Sequence, residues 1–200
     1  MLIEHLGYSP NIDPTARIAP TAVICGDVTV GPRCSIGFGA VLTAESGPVV
    51  IGADGVIMEN AVIRGVRNFP VRIGDNVLIG PHAHVSGAQI AARVFIATGA
   101  SVFNGARIGA DAEIRINAVV HVNTRIAPGD HVPIGWVALG DPAQILPPGD
   151  AEAIWAAQEP LDFPRTVFDI SRPPPGQSAM EAMTARYARA LGKHKDDTVL

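Results

Sequence analysis

The chain has 200 residues and a formal net charge of −4, which allows one domain with an appendage. The acidic balance and the absence of a Lys/Arg run argue against a general nucleic-acid-binding protein. Hydrophobic residues make up 48% of the chain but aromatic residues only 5%, which favours a narrow core of Val, Ile and Ala. No apolar run reaches membrane length and no stretch resembles a signal peptide, so we expect a cytoplasmic protein.

An aliphatic residue recurs every six positions from residue 12 to residue 132, with interruptions near residues 46–48 and 65–72. The clearest stretch contains Ile73, Ile79 and Val85, and Gly follows the first two. Repeats this short are typical of a parallel β-helix, in which each hexapeptide gives one strand and one turn and three make a coil. The pattern therefore predicts a hexapeptide-repeat solenoid of about seven coils. A β-sandwich would instead favour turns every 8–12 residues or so.

The repeat also predicts which side chains point inward. The aliphatic residue that starts each repeat should stack on its equivalent in the next coil, and a small residue four positions later should sit where two walls converge. Gly and Asn suit the corners because a corner needs backbone angles that branched residues resist. The predicted small inward residues are Ala16, Ala22, Ala61, Ala83, Ala100, Ala106, Ala112 and Ala118.

The segments outside the regular repeat have their own predicted roles. Residues 1–10 should cover the first coil, since the end of a solenoid exposes unpaired backbone groups. The interruptions, which contain Gly47-Pro48 and the stretch 65–70, should be corner loops, and such loops often border a binding site. The two cysteines, Cys25 and Cys34, form no CxxC pair and are interpreted as packing residues.

The C-terminal part departs from the repeat, and the sequence divides into a β-helix domain at 1–145 and a helical appendage at 146–200. Asp150 is the expected N-cap of a helix at 151–159 with Trp155 on its buried side. Residues 160–176 should be extended. A second helix at 178–191 should carry the apolar stripe Met180, Met183, Tyr187 and Leu191 and dock on the β-helix or on a neighbouring subunit. Residues 194–200 should fray.

Three of the six histidines are candidate site residues. His82 and His84 lie two apart on one strand and can share a face. Coil stacking should place His84 beside Val62 and Ser101, and should place His121 in the column of Arg64 and Ser86. Of the remaining histidines, His5 and His131 are expected on the surface and His194 in the tail.

The irregularities of the repeat resemble those of the γ-class carbonic anhydrase-like proteins over roughly residues 11–160. The resemblance implies a left-handed β-helix that forms a homotrimer, with a metal ion held between neighbouring subunits. The stretches that carry it are Val41-Leu42 before the Gly-Pro loop, Ile57 to Ile63 before the longer loop, Ile73-Gly74-Asp75-Asn76, the short repeat ending Ser86-Gly87, and the exit Val137 to Ala143.

The residues that the resemblance places at the three metal positions are Arg64, Pro81 and Ser86, where the family has histidines. A zinc catalyst needs neutral imidazoles and an open position for water. Arg64 brings a permanent positive charge to a position meant for a dication. The hydratase mechanism is therefore not carried over, and Arg64 is expected to bind an anion or to pair with Glu45 or Glu59.

Three functional hypotheses follow. The first is a trimer that binds a small anion or metabolite at the subunit interface through Arg64, Ser86, Asn60 and His121. The second is an acyltransferase using acetyl-CoA, with His82, His84 or His121 as general base and Glu59 as orienting group. The third is a metalloenzyme with a relocated zinc site at His82 and His84, completed by His121. Outward apolar residues such as Val62, Phe103 and Val119 favour the trimer in each case.

Overall fold

The computed structural model, which describes residues 1–174 and 176–200, forms a prism whose three walls are columns of short parallel strands. The first wall contains eight parallel strands and one antiparallel strand at each end. Its parallel strands are Leu2–Glu4, Val23–Cys25, Val41–Ala44, Val62–Gly65, His84–Ser86, Ser101–Val102, Val119–Val120 and Val137–Leu139; its antiparallel strands are Gln144–Leu146 and Thr198–Val199.

The second and third walls each contain seven parallel strands, which confirms the β-helix and its predicted coil number. The strands of the second wall are Asn11–Ile12, Val28–Val30, Val49–Ile51, Val71–Ile73, Gln89–Ile90, Arg107–Ile108 and Arg125–Ile126. Those of the third wall are Arg17–Ile18, Ser35–Ile36, Val56–Ile57, Leu78–Ile79, Phe95–Ile96, Glu113–Ile114 and His131–Val132.

The core lies along the axis of the prism and consists of the predicted inward residues. Ile63 pairs in register with Leu42 on one side and Val85 on the other, and all three are 0% exposed. The predicted alanines are buried as well, except Ala16, which is partly buried near the first coil. The six-residue period therefore corresponds to a stack of coils, in which the inward side chains of each coil are buried against those of the next.

One corner of the prism is a column of residues with left-handed backbone. Asn60 projects its side-chain oxygen to within 2.2 Å of where a Cβ on Gly39 would lie, and Asn117 does the same, at 2.3 Å, beneath Gly99. An Asn at this corner therefore requires a Gly in the preceding coil. The members of this corner column are Gly39, Asn60, His82, Gly99, Asn117 and Gly135, with φ between +55° and +70°.

The C-terminal segment returns along the first wall. Its described residues form three α-helices, α1 (Ala151–Gln158), α2 (Phe163–Phe168) and α3 (Met180–Leu191), and two 3-10 turns at Glu159–Leu161 and Gly192–Asp196. Asp150 accepts a hydrogen bond from the backbone N–H of Ala153, as expected of an N-cap. None of the helices in the described residues combines the length and apolar character needed to span a bilayer.

Several predictions for this segment were wrong in detail. Trp155 is 53% exposed and lies beside the guanidinium of Arg172, because α1 presents other residues to the β-helix. Residues 160–174 contain a 3-10 turn and α2 where an extended segment was expected. The last residues do not fray, since Thr198–Val199 pairs with Leu2–Glu4 and covers the edge of the first coil.

The stacked core gives a prediction for stability. Ile63→Ala should lower the free energy of unfolding by about 2–5 kcal/mol, because the cavity lies between two neighbouring coils that cannot collapse into it. Val50→Ala, at an outward and half-buried position of the second wall, is the matched control and should cost much less. Chemical denaturation measures both values, and equal losses would contradict the inward stacking of residue 63.

Candidate functional site

Four of the eight candidate residues that the sequence singled out lie along the outer surface of the first wall, and the other four lie at one corner of the prism. Register pairs Cys25 with Thr43, Thr43 with Arg64, and Arg64 with Ser86. The same column continues through Phe103 to His121, whose rings are 6.4 Å apart between centroids. We call these six residues the outer column. The C-terminal segment packs along this column and covers much of it.

Arg64 is held at the middle of the outer column by contacts with two elements. Its guanidinium donates a hydrogen bond to the Tyr187 hydroxyl on α3, and its Cζ lies 4.9 Å from the centroid of that ring. Its Nη2 lies 3.3 Å from the Glu45 carboxylate. Of the two carboxylates considered from the sequence, Glu45 is the partner, while Glu59 is exposed at a different corner.

Ser86 and Pro81 are engaged in local structure. The buried Ser86 hydroxyl donates to the Asn104 side-chain oxygen over 2.7 Å. Pro81 lies at the corner just before His82, and its carbonyl accepts a hydrogen bond from Gly99 in the next coil. Neither position presents a nitrogen or sulfur donor toward Arg64.

His84 and His121 are separated by the Phe103 ring. The His84 and Phe103 ring centroids are 6.0 Å apart, and His84 pairs with Val62 and Ser101 as the sequence predicted. Burial and, less strongly, the charge of Arg64 lower the pKa of His84; burial lowers the pKa of His121. His121 Nε2 is 3.1 Å from Gln158 Nε2, while its buried Nδ1 has no partner among the described residues.

His82, Glu59 and Asn60 are exposed corner residues. His82 has φ +57°, a conformation in which His, Asn and Asp are the commonest residues after Gly, so the corner itself explains the histidine. Within one described chain, His82, His84 and His121 belong to no group of three close metal-ligating atoms. A zinc site that joins them across subunits remains a prediction.

A cavity of about 1000 Å³ lies between the outer column and helices α2 and α3. The loop after Ile63, closed by paired backbone hydrogen bonds between Val66 and Phe69, forms one side of the cavity. The two lining carboxylates are Glu45 and Asp169, and Asp169 pairs with Arg186 at 3.2 Å. The lining cations are Arg64, Arg67, Arg165, Arg186, Arg189 and Lys193.

The sequence analysis did not predict a second group of polar side chains that the fold brings together. His5, predicted on the surface, is 2% exposed, and its Nδ1 lies 2.6 Å from Asp197 Oδ1. His194, predicted in a free tail, places Nδ1 2.7 Å from Asp197 Oδ2. The Cys25 thiol, interpreted as packing, lies 3.7 Å from the same oxygen. We call His5, Cys25, His194 and Asp197 the terminal cluster.

Burial and two carboxylates, Asp197 within the terminal cluster and Glu45 beside it, shift the pKa values of Cys25 and His194. Burial, and then the charges of Asp197 and Glu45, raise the pKa of the Cys25 thiol to about 11. Burial lowers the pKa of His194, but hydrogen bonds to Asp197 and Glu45 outweigh it and the net pKa is raised. His194 and Asp197 are three residues apart, a spacing that places two side chains on the same side of a helical turn. This spacing is the signal in the sequence from which the terminal cluster could have been suspected.

The chain is similar in sequence to proteins named as carbonic anhydrases. It is 33% identical over 151 residues to gamma carbonic anhydrase 1, mitochondrial, of Arabidopsis thaliana, covering 72% of this chain and 53% of that protein. It is 31% identical over 109 residues to a carbonic anhydrase of Geobacillus kaustophilus, covering 54% of this chain and 60% of that protein. The chain thus spans little more than half the length of these relatives.

Comparison with solved structures shows the fold. A UDP-N-acetylglucosamine acyltransferase, LpxA, from Bacteroides fragilis aligns over 90% of this chain and 78% of its own, with a TM-score of 0.58 and 20% identity. At that identity the likeness is one of architecture, a left-handed hexapeptide β-helix. No family model matches the sequence.

The buried histidines give a prediction for pH dependence. Because the folded pKa of His84 and His121 is lowered, the unfolded chain takes up protons first as the pH falls. Their stabilising contribution is complete above the unfolded pKa of about 6.5 and is lost as the pH falls through the folded pKa. The double variant His84→Gln/His121→Gln should therefore lose less thermal stability between pH 7.5 and pH 5 than the parent.

The matched control for this prediction is His131→Gln, at an exposed position of the third wall. It should keep the pH dependence of the parent. A double variant whose melting temperature falls as steeply as that of the parent would show that the two imidazoles are not held neutral by the fold.

Proposed function

The chain is a γ-carbonic-anhydrase-like protein with a left-handed hexapeptide-repeat β-helix, and we propose that it binds a small anionic metabolite beside Arg64. The observation that carries the proposal is the cavity of about 1000 Å³ lined by six cationic side chains and two carboxylates. A cavity of this size suits a small metabolite. Its excess positive charge favours an anionic one.

The ion pairs within the cavity leave four of its six cations for the proposed anion. Glu45 neutralises Arg64, and Asp169 neutralises Arg186. No carboxylate of the described residues forms an ion pair with the other four cations of the lining. Arginine groups bind carboxylate or phosphate through two parallel hydrogen bonds. The four remaining cations are Arg67, Arg165, Arg189 and Lys193.

We call the place of the three family metal positions, occupied here by Arg64, Pro81 and Ser86, the inherited zinc position. The residues found there argue against hydratase chemistry at that position. Arg64 is paired with Glu45 and Tyr187, the Ser86 hydroxyl is bonded to Asn104, and Pro81 has no side-chain donor. These residues do not fit a zinc ion, which needs nitrogen, sulfur or carboxylate ligands and an open position for water. Hydration of carbon dioxide by the zinc-loaded protein would contradict this part of the proposal.

A homotrimer is supported by an apolar stripe on the third wall. Leu78 pairs in register with Val56 and Phe95, and their side chains point outward. Exposed apolar residues at the adjacent corner widen the stripe. Exposed apolar surface of this kind favours association, and closed symmetry is the usual outcome. Its members are Phe38, Val56, Leu78, Phe95, Ile116 and Ile134, all 36–63% exposed.

Acyl transfer is the second candidate, favoured by one observation. His84 is half-buried and its lowered pKa keeps the imidazole neutral near pH 7, as a general base requires. An orienting carboxylate is lacking, since no hydrogen bond joins Glu59 to an imidazole in the described residues. A titration with acetyl-CoA beside the anion titration separates the two candidates.

The anion proposal predicts saturable binding. Inorganic phosphate, pyrophosphate and a small dicarboxylate, titrated by calorimetry, should bind at one site per chain for at least one of the three. The double variant Arg67→Gln/Arg189→Gln should weaken that binding about tenfold or more, since each charge-assisted hydrogen bond contributes about 1.5–3 kcal/mol. Arg107→Gln, an exposed arginine on the second wall, is the matched control.

Two outcomes would contradict the anion proposal. One is a lack of saturable binding by every anion tested. The other is equal affinity in the parent and the double variant. If acetyl-CoA binds to the parent but not to a variant at His84, and none of the simple anions binds, the acyltransferase candidate is favoured.

The trimer proposal predicts a particle of three times the chain mass by light scattering at micromolar concentration. Leu78→Lys should shift it toward the monomer, because the lysine places a charge in the centre of the apolar stripe. Val50→Lys, at an outward position of the second wall, is the matched control and should leave the assembly intact. A monomeric parent protein would overturn the proposal.

A further inference from the structure

The terminal cluster brings four metal-ligating side chains together from three distant parts of the chain. His5 follows the first strand, Cys25 ends the strand Val23–Cys25, and His194 and Asp197 lie at the C-terminal end. One ligand atom of each lies within 4.8 Å of all the others. We propose that these four residues bind one Zn²⁺ ion that ties both ends of the chain to the first coil. None of these four residues lines the anion cavity or occupies one of the three family metal positions, although Glu45 contacts both Arg64 and His194.

The donor set matches the preference of zinc. Zinc sites in proteins use cysteine sulfur, histidine nitrogen and carboxylate oxygen in tetrahedral arrangements of four ligands. Metal binding displaces the proton of the Cys25 thiol to solvent, and the resulting thiolate and the Asp197 carboxylate supply two negative charges. The two imidazoles bind in their neutral form, so the set balances a dication. Four protein ligands fill the coordination sphere, and the site is therefore structural rather than catalytic.

The geometry of the terminal cluster requires only a small opening to accept the ion. The two imidazole nitrogens now lie 2.6 and 2.7 Å from oxygens of Asp197, as in hydrogen bonds. Zinc bonds of about 2.0–2.3 Å in a tetrahedron place neighbouring ligand atoms about 3.3–3.7 Å apart. The Cys25 sulfur, 3.7 Å from Asp197 Oδ2, already lies in this range. In the protein without metal, hydrogen bonds to Asp197 hold the two imidazoles at these shorter distances.

A second carboxylate, that of Glu45, contacts the terminal cluster and orients the His194 ring. Glu45 Oε2 lies 3.3 Å from His194 Nε2, the ring nitrogen that faces away from the cluster. A ligating histidine normally donates its other N–H to a carboxylate or carbonyl, which fixes the tautomer and aims the free nitrogen at the metal. The imidazoles of His5 and His194 are also stacked, with centroids 4.1 Å apart and planes inclined by 20°, which restricts their rotation.

Packing alone does not account for these residues. His5 is 2% exposed and Cys25 is 4% exposed, and the thiol faces a carboxylate where an apolar side chain would fill the space at no electrostatic cost. A cation at the centre would be attracted both by the Asp197 carboxylate and by the Cys25 sulfur once it has lost its proton. The backbone around it is closed already, since the last strand pairs with the first and Leu200 donates to the Leu2 carbonyl.

The test uses the full chain, purified without a histidine tag and stripped with a chelator. Calorimetric titration with Zn²⁺ should give one ion per chain and should raise the melting temperature. Titration with Co²⁺ should give the visible bands of tetrahedral cobalt together with a near-ultraviolet thiolate-to-cobalt band. The variants Cys25→Ser and Asp197→Asn should each weaken zinc binding at least tenfold, and Cys25→Ser should abolish the thiolate band.

Cys34→Ser is the matched control, because Cys34 is the other buried free cysteine and lies outside the cluster. It should keep both the zinc affinity and the cobalt spectrum. Circular dichroism of each metal-free variant separates loss of binding from loss of folding, and Asp197→Asn preserves the size of the side chain if Cys25→Ser does not fold.

Three results would overturn the inference. The first is the absence of stoichiometric zinc binding by the folded parent. The second is a parent cobalt spectrum without a thiolate band. The third is zinc binding that persists in Cys25→Ser and Asp197→Asn but is lost in His84→Ala, which would assign the ion to the histidines of the first wall. None of these results bears on anion binding, which depends on Arg67 and Arg189.

Discussion

No coil of this protein has a hydrophobic core of its own, and the rest of the structure depends on that constraint. An inward aliphatic residue such as Ile63 is buried because the coils above and below contribute Leu42 and Val85. Stability therefore accumulates along the stack, and the two end coils each lack one neighbour. The chain closes both ends with antiparallel strands, Gln144–Leu146 at one end and Thr198–Val199 at the other.

This solution explains where the functional side chains lie. To reach the first coil from the last, the C-terminal segment must run the length of the first wall. On the way it covers the outer column, places Gln158 at His121 and Tyr187 at Arg64, and ends with Asp197 beside Cys25. The cavity lies beside the middle of the wall, with the loop after Ile63 on one side and helices α2 and α3 of the segment on the other. The same C-terminal segment therefore both caps the stack and completes the candidate sites.

The sequence predicted the fold far better than the sites, and the reason is the range of the interactions involved. The repeat is local, so the inward position of Ile79 or Ala118 can be assigned from neighbours along the chain. The environment of His5 depends on Asp197, 192 residues away, and no period connects the two. His84 lies inside the repeat, and its neighbours were assigned correctly. Arg64 was assigned to the right column, but whether it meets Glu45 or Glu59 was decided by the corner loop and by α3.

The exposure of the Trp155 side chain also depends on interactions that the local sequence does not specify. The sequence of a helix indicates which of its faces is apolar. The face of α1 that contacts the wall is decided instead by the direction in which the helix leaves the last coil. Its only described aromatic contact is with Arg172, further along the same segment. The tail thus packs partly on itself, a possibility that a repeat-based interpretation of the sequence does not address.

The left-handed corner column gives the solenoid a polarity that its periodic sequence conceals. Because the amide of Asn60 occupies the space of a Cβ on Gly39, and Asn117 does so beneath Gly99, each such pair is ordered along the axis and cannot be inverted. Coils of this protein are therefore not interchangeable modules. Shuffling, duplicating or grafting one of them must carry the glycine of the preceding coil with it, so the smallest transferable unit is a pair of coils.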